Sequence, residues 1–301
     1  MRFEIALNGY WLDKKRDFSD ATIRDYELTF ARFAEFVGPH HPLEEITSDR
    51  VRAFLNSLRN ERALAPKTVC NAWTALSSFW TWAEMELQTP HVIRGRIKAP
   101  KVPRPQIVPY TEVEVKALLA ACDHASGVQK AARPTALRDR AIIVTLVDTG
   151  VRVSELCAFR IENYTSSRGQ LMVLKGKSSK ARTVFLGKAG QRALWRYLAD
   201  RPDASSAEPL FATRSNLHMD RHGVRHMIQG AAKRAGVQNA TVHRFRHTFA
   251  INFLRNGGNP LELQQLLGHE KMDTLQIYVT LARADLEQAQ QVASPGDRWR
   301  L

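Results

Sequence analysis

The sequence predicts a mainly α-helical protein with one small antiparallel β-sheet, built as a helical N-terminal domain and a mixed α/β C-terminal domain. Three observations predict it. Apolar residues recur at three- and four-residue spacings along most of the chain, the period of an α-helix. Only one pair of short β-prone runs stands out, flanking a Gly/Ser/Lys tip. A proline-rich stretch separates two parts of unequal size, and 301 residues suit two domains of about 100–200 each.

The elements follow in order. Ile23, Tyr26, Phe30, Phe33 and Phe36 fall on one face of a first helix, and Val51, Phe54, Leu55 and Leu58 repeat the pattern. Val69, Trp73, Leu76, Phe79, Trp80 and Ala83 form a third stripe. Pro66 stands near its start, where a missing N–H does no harm. The spacing makes these aromatics a core rather than a base-stacking platform. Four prolines, Pro100, Pro103, Pro105 and Pro109, block helix and sheet and leave an extended basic connector. The reading is thus a helical domain over 1–98, a linker over 99–109 and a second domain over 110–301. In the second domain Thr111 and Glu114 form a capping box that opens a helix through Leu118 and Leu119. Another helix runs from about Leu137 to Asp148 and breaks at Gly150. Strands over Leu171–Leu174 and Arg182–Leu186 flank a hairpin tip at Lys175–Lys180, and helical patterns then resume, punctuated by Gly257-Gly258 and Gly268.

Composition narrows the function. Hydrophobic residues at 44% and charged residues at 25% are ordinary for a globular chain, and the longest apolar stretch, near Ala141–Val147, is too short to span a bilayer. Met1-Arg2-Phe3-Glu4 lacks the apolar run of a signal peptide. Cys70, Cys122 and Cys157 are scattered without a C-x-x-C pair, so a soluble cytoplasmic protein without a disulfide framework is expected. The net charge of +14 is lopsided: residues 1–100 carry 14 basic and 13 acidic residues, whereas 101–301 carry 30 and 17. A field of +13 on the C-terminal part attracts polyanions, and nucleic acid is the expected partner.

Two local signals point elsewhere and fail on chemistry. Gly176-Lys177-Ser178 imitates the end of a P-loop, but Leu171 stands where the first glycine belongs and no helix follows. His218, His222 and His226 are spaced by four, yet Arg221 and Arg225 lie among them and no carboxylate joins them, so no metal is expected. A different set converges: Arg152 and Glu155; Lys177; His243 and Arg246; His269; Tyr278. Two arginines can clamp both non-bridging oxygens of a phosphodiester and offset its developing charge. A histidine can manage protons or bind the phosphate near neutral pH, and a lysine can protonate a departing alkoxide. A tyrosine surrounded by cations becomes a usable nucleophile.

At these residues the sequence resembles the tyrosine recombinase family, which includes phage and transposon integrases and Xer-type recombinases. The resemblance runs from about Phe18 to near Leu286. It rests on five motifs in order: R-x-S-E-L from Arg152, G-K-x-x-K-x-R from Gly176, H-x-x-R-H from His243, L-L-G-H from Leu266, and a tyrosine nine residues past His269. It implies an N-terminal SAM-like core-binding domain and a catalytic domain closing around duplex DNA. It makes Arg152 and Arg246 the catalytic arginines and Lys177 the general acid, with Lys180 a rival on the same hairpin. His243 completes the H-x-x-R pair, His269 supports phosphate and nucleophile, Tyr278 is the nucleophile, and Glu155 organises the pocket around the first arginine. Phe245 stands where leucine is commoner. Ala65 stands where serine is commoner, leaving the Pro66 helix without a side-chain N-cap.

The resemblance further implies a site-specific DNA recombinase that needs neither metal nor ATP nor any other cofactor, working through a 3′-phosphotyrosine. Four protomers would act on two double-stranded DNA sites near the nucleoid, with a second recombinase or accessory proteins as further partners. The helix-forming segment Ala282–Ala289 would pack on a neighbouring protomer or in cis. Only about 17 residues precede the first recognisable match, which argues against an added arm-binding domain and for a Xer-type resolver or a small-element integrase. Two readings compete: a type IB topoisomerase-like nicking and religating enzyme, and a catalytically silent DNA-binding or architectural protein. Arg50, Lys67, Asn71, Lys180 and Arg182 are candidate DNA contacts; for the first three a plain solvated surface serves equally well.

Overall fold

The computed structural model describes residues 1–38, 40–103, 106–123, 134–174, 181–268, 272–282, 294 and 296. The chain divides into two compact units, Met1–Pro105 and Gln106–Leu301.

Among its described residues the first unit has four α-helices. α1 spans Phe3–Lys14, α2 Asp20–Val37, α3 Ser48–Asn60 and α4 Pro66–Glu86. Starts are set by side-chain caps where the sequence offers them: Ser19 accepts from the Thr22 amide at 3.2 Å, and Thr47 from the Arg50 amide at 3.3 Å. α4 opens on Pro66 with Ala65 at its N-cap and no side-chain cap, as its sequence implies. Phe30, Phe33, Val51, Phe54, Leu58, Val69, Leu76, Phe79 and Trp80 are all buried, so the three apolar stripes do meet. Their rings pack edge to face, Phe3 on Phe33 at 5.3 Å and Phe33 on Trp80 at 5.8 Å. α1 was not legible in the sequence. It buries Phe3, Ala6 and Tyr10, and its Tyr10 hydroxyl pairs with Ser78 Oγ at 2.8 Å.

The second unit holds α5 (Glu112–Asp123), α6 (Ala136–Thr149), α7 (Val153–Ala158), β1 (Tyr164–Thr165), β2 (Gln170–Val173) and β3 (Arg182–Phe185). α8 (Lys188–Ala199), α9 (Arg221–Ala235), α10 (Val242–Arg255), α11 (Pro260–Leu267) and α12 (Met272–Ala282) complete it. The capping box at α5 forms in both directions: Glu114 accepts from the Thr111 amide at 2.8 Å, and Thr111 Oγ1 from the Glu114 amide at 3.2 Å. Glu114 also receives Arg244 of α10 at 2.8 Å, and that guanidinium lies 4.1 Å from the Tyr110 ring centre. The sheet is antiparallel in the order β1-β2-β3, with Leu171 opposite Val184 and Val173 opposite Arg182. Leu171, Val173 and Val184 face the core, while Met172 and Phe185 face out. β1 has two residues, too few to carry a period, and the sequence did not reveal it.

α5 packs on α9, α6 on α8, and α10 lies between α6 and α12. The main core runs through α5, α6, α9, the sheet and the start of α10. A second, smaller core joins α10, α11 and α12 through Ala250, Ile251, Leu263, Leu267, Leu275 and Tyr278. Among the described residues no helix is long and apolar enough to cross a membrane.

Candidate active site

The site begins where α6 stops. Gly150 takes the left-handed conformation at φ +60°, ending the helix and leaving its carbonyl free to accept from outside it. Arg246, on the second turn of α10, donates to that carbonyl and to the carbonyl of Leu267 at the end of α11, both at 2.8 Å. Arg246 is only 2% exposed. Burial and the neighbouring Arg152 charge lower its pKa to about 10, so it stays cationic at neutral pH.

Arg152 occupies the N-cap position of α7 with its side chain 42% exposed, the accessible cation of the group. Glu155, one turn on, accepts from the Arg152 amide at 2.7 Å and from its guanidinium at 3.1 Å. Arg182 of β3 closes on the same carboxylate with two bonds, at 2.9 and 2.8 Å, and its Nε donates to the Leu266 carbonyl at 2.6 Å. Burial pushes Glu155 upward, but the hydrogen bonds from Arg182 and the Arg152 amide, with both arginine charges, outweigh it and hold the carboxyl below its ordinary range. Here the structure departs from the sequence reading. Arg182, taken as a DNA contact, is turned inward with 9% of its side chain exposed, because a buried carboxylate requires a fixed bidentate partner.

On α10, residues 243, 246 and 247 lie at i, i+3 and i+4 and share one face. His243 keeps an edge open to solvent; desolvation of its inner side, then the Arg246 and Arg152 charges, lowers its pKa. The His243 and His247 rings meet edge-on at 4.4 Å. His247 Nδ1 lies 2.9 Å from the Tyr278 hydroxyl of α12. Tyr278 is 1% exposed; burial raises its pKa, while Arg246 and Arg152 pull it back. The sequence reading gave His247 no separate role, although its i+4 placement from His243 could have flagged it.

Among the described residues, then, Arg152, Glu155, His243, Arg246 and Tyr278 come together, with Arg182 and His247 added by the fold. Lys177, Lys180 and His269 lie outside the described residues, as do the hairpin tip 175–180 and residues 283–289 of the tail segment. In the first unit Arg50 and Lys67 are exposed, Asn71 is half-buried, and the Arg50 guanidinium stands 5.5 Å from the Phe36 ring centre. The histidine series at 218, 222 and 226 does not share one helix: α9 begins at Arg221, and His218 Nδ1 lies 3.0 Å from the Cys157 carbonyl. Among the described residues no three His, Cys, Asp or Glu side chains cluster as metal ligands.

The model of the phage integrase family matches residues 110–284, and that of the phage integrase N-terminal SAM-like domain matches residues 13–88. The chain is 31% identical to tyrosine recombinase XerC of Roseiflexus castenholzii over 278 residues, 90% of this chain and 86% of that protein. A crystal structure of XerA recombinase aligns over 97% of this chain and 98% of that one, at 28% identity and a TM-score of 0.53. A lambda integrase dimer bound to a COC′ core site shares the fold at a TM-score of 0.74 and 20% identity, over 95% of this chain and 79% of that one. The arginine- and histidine-flanked tyrosine thus sits in a chain that belongs to the phage integrase family, the tyrosine recombinases, which are DNA strand-exchange enzymes.

Proposed function

We propose that Tyr278 is the nucleophile of a site-specific strand exchange and that Arg152 and Arg246 hold the scissile phosphate, with His243 hydrogen-bonding it. Tyr278 Oη gives its proton up to solvent and attacks phosphorus, the bond from phosphorus to the 5′ oxygen breaks, and a 3′-phosphotyrosine and a 5′-hydroxyl result. Lys177 supplies the proton to the departing oxygen, and His269 supports the phosphate. The 5′-hydroxyl of a partner strand then attacks the phosphotyrosine and returns Tyr278. One ester replaces another at each step, so the reaction conserves its bond energy and consumes no ATP.

The observation that carries this reading is a buried phenol lying in the field of two arginines, which oppose the effect of burial on its pKa. Arg182 anchors, through Glu155 and Leu266, the strand β3 that follows the segment containing Lys177. Residues 1–98 serve as the core-binding domain, with Arg50, Lys67 and Asn71 as candidate DNA contacts; 99–109 is the linker and 110–301 the catalytic domain. We infer two protomers on each DNA site and four in the exchanging assembly, acting in the cytoplasm on double-stranded DNA. The lambda integrase dimer on its core site supports the pairing.

The test is covalent capture. The protein is incubated with sheared DNA of its source genome in chelator and denatured, and protein-linked fragments are sequenced at their ends. Fragments sharing a partly palindromic sequence are expected. Tyr278→Phe should bind DNA within about two-fold of the wild type and capture none; equal capture by the variant refutes the assignment.

A further inference from the structure

A residue not yet given a part in the reaction makes a polar contact with the proposed nucleophile's own oxygen. His247 is half-buried on the face of α10 that carries His243 and Arg246, and its Nδ1 stands 2.9 Å from Tyr278 Oη. The His243 ring abuts it edge-on at 4.4 Å and limits its rotation. Among the described residues, the charged and titratable groups facing it are His243 and Arg246 on its own helix and Tyr278 from α12.

Two roles are chemically open to an imidazole at this place, and magnitudes separate them. Burial, then His243 and Arg246, push its pKa down to about 4, whereas Tyr278 lies above its ordinary value of 10.0. Moving the phenol proton onto His247 is therefore strongly unfavourable, which makes it a poor base. As a hydrogen-bond acceptor it has an advantage over other residue types. A carboxylate there would pair with Arg246 and compete with an incoming phosphate, and a lysine would add a third positive charge. A neutral imidazole accepts from the hydroxyl without taking a cation away from the phosphate.

We propose that His247 is a positioning residue: its Nδ1 accepts the Tyr278 hydroxyl hydrogen bond and fixes the nucleophilic oxygen in the field of Arg246 and Arg152. The proposal rests on Tyr278 being the nucleophile. A nucleophilic oxygen loses rate when it wanders by about an ångström, and a hydrogen bond at Oη restrains it.

The test compares His247→Asn with His247→Leu, two side chains of nearly the same shape of which only asparagine can accept a hydrogen bond. Cleavage of a nicked duplex carrying the sequence recovered by covalent capture is followed as a single turnover at saturating protein, from pH 5.5 to 8.5. His247→Leu is expected to cleave roughly 10–100-fold more slowly. Its duplex Kd should stay within about two-fold of wild type, since only the transition-state geometry changes. His247→Asn should recover to within about five-fold of wild type. The pH profiles of all three should have one shape. Wild-type cleavage by His247→Leu, or Asn no faster than Leu, overturns the proposal. So does a low-pH limb that is present in the wild type and absent from the variants, which is the behaviour of a general base. Capture by Tyr278→Phe would instead fault the nucleophile assignment, so the two failures are distinguishable.

Discussion

At the scale of single residues the site is organised by where charge is buried. Arg182 and Glu155 form a fork-to-fork pair, and such a pair stabilises only when both partners remain charged and fully bonded. The sign of its pH dependence follows. Glu155 is held below its ordinary 4.5, so its contribution is complete above that value and is lost as pH falls through the lower folded value. His247 acts in the same direction higher up: its folded pKa near 4 lies below the ordinary 6.5, so stability declines as pH falls between those values. The unfolding midpoint of the second unit is therefore expected to drop steadily from pH 7 to pH 4 and more steeply below. A calorimetric series should show His247→Asn flattening the upper part of that decline and Glu155→Gln the lower part. A midpoint independent of pH over this range would contradict both assignments.

Among the elements, two helix ends make opposite predictions. Gly150 ends α6 at a positive φ, and a Cβ there would lie 2.5 Å from a Phe249 ring carbon and 3.0 Å from a Leu267 methyl. Left-handed strain and overpacking together should cost Gly150→Ala about 2–4 kcal/mol, and the displaced carbonyl should loosen Arg246. Urea unfolding checks the first effect and the single-turnover cleavage rate the second. Ala65, by contrast, caps α4 with no side chain, and its backbone at φ −56° and ψ 144° is already that of an N-cap. Ala65→Ser should stabilise the first unit by about 1 kcal/mol, read as a higher urea midpoint. The element that escaped the sequence, α1, did so for a physical reason. Asn8 and Gly9 are poor helix formers, yet Gly9 is required there because a Cβ would come within 2.9 Å of Trp82. Close packing against α4, which no local pattern reveals, overrides the local propensity.

Over the whole molecule, electrostatics and family agree. The positive charge is concentrated after residue 100, at +13 against +1 before it, in the part that holds the arginines of the site. DNA affinity should therefore fall steeply with salt. A slope of log K against log salt of about −5 to −9 corresponds to about 6–10 neutralised phosphates. Fluorescence anisotropy between 50 and 200 mM salt, ranges in which such slopes are read, measures it. A slope near zero would remove the polyanion field as the source of affinity. Each unit has its own core, aromatic in the first and aliphatic with a small sheet in the second, so each can be followed separately in such experiments.

What the sequence determined by itself was everything carried by short-range periodicity. The apolar stripes of α2, α3 and α4, the capping box at Thr111, the break at Gly150 and the grouping of His243 with Arg246 all follow from three- and four-residue spacing. A helix obeys that spacing whatever surrounds it. Only the tertiary structure decided the partners. Arg182 meets Glu155 across 27 residues, Arg246 finds the Gly150 carbonyl across 96, and His247 reaches Tyr278 across 31. Three of the groups that hold these arginines, at Gly150, Leu266 and Leu267, are backbone carbonyls. Every residue has a carbonyl, so its use leaves no mark on residue type. It becomes an acceptor for a particular guanidinium only when a helix ends and leaves it free at that place in the fold.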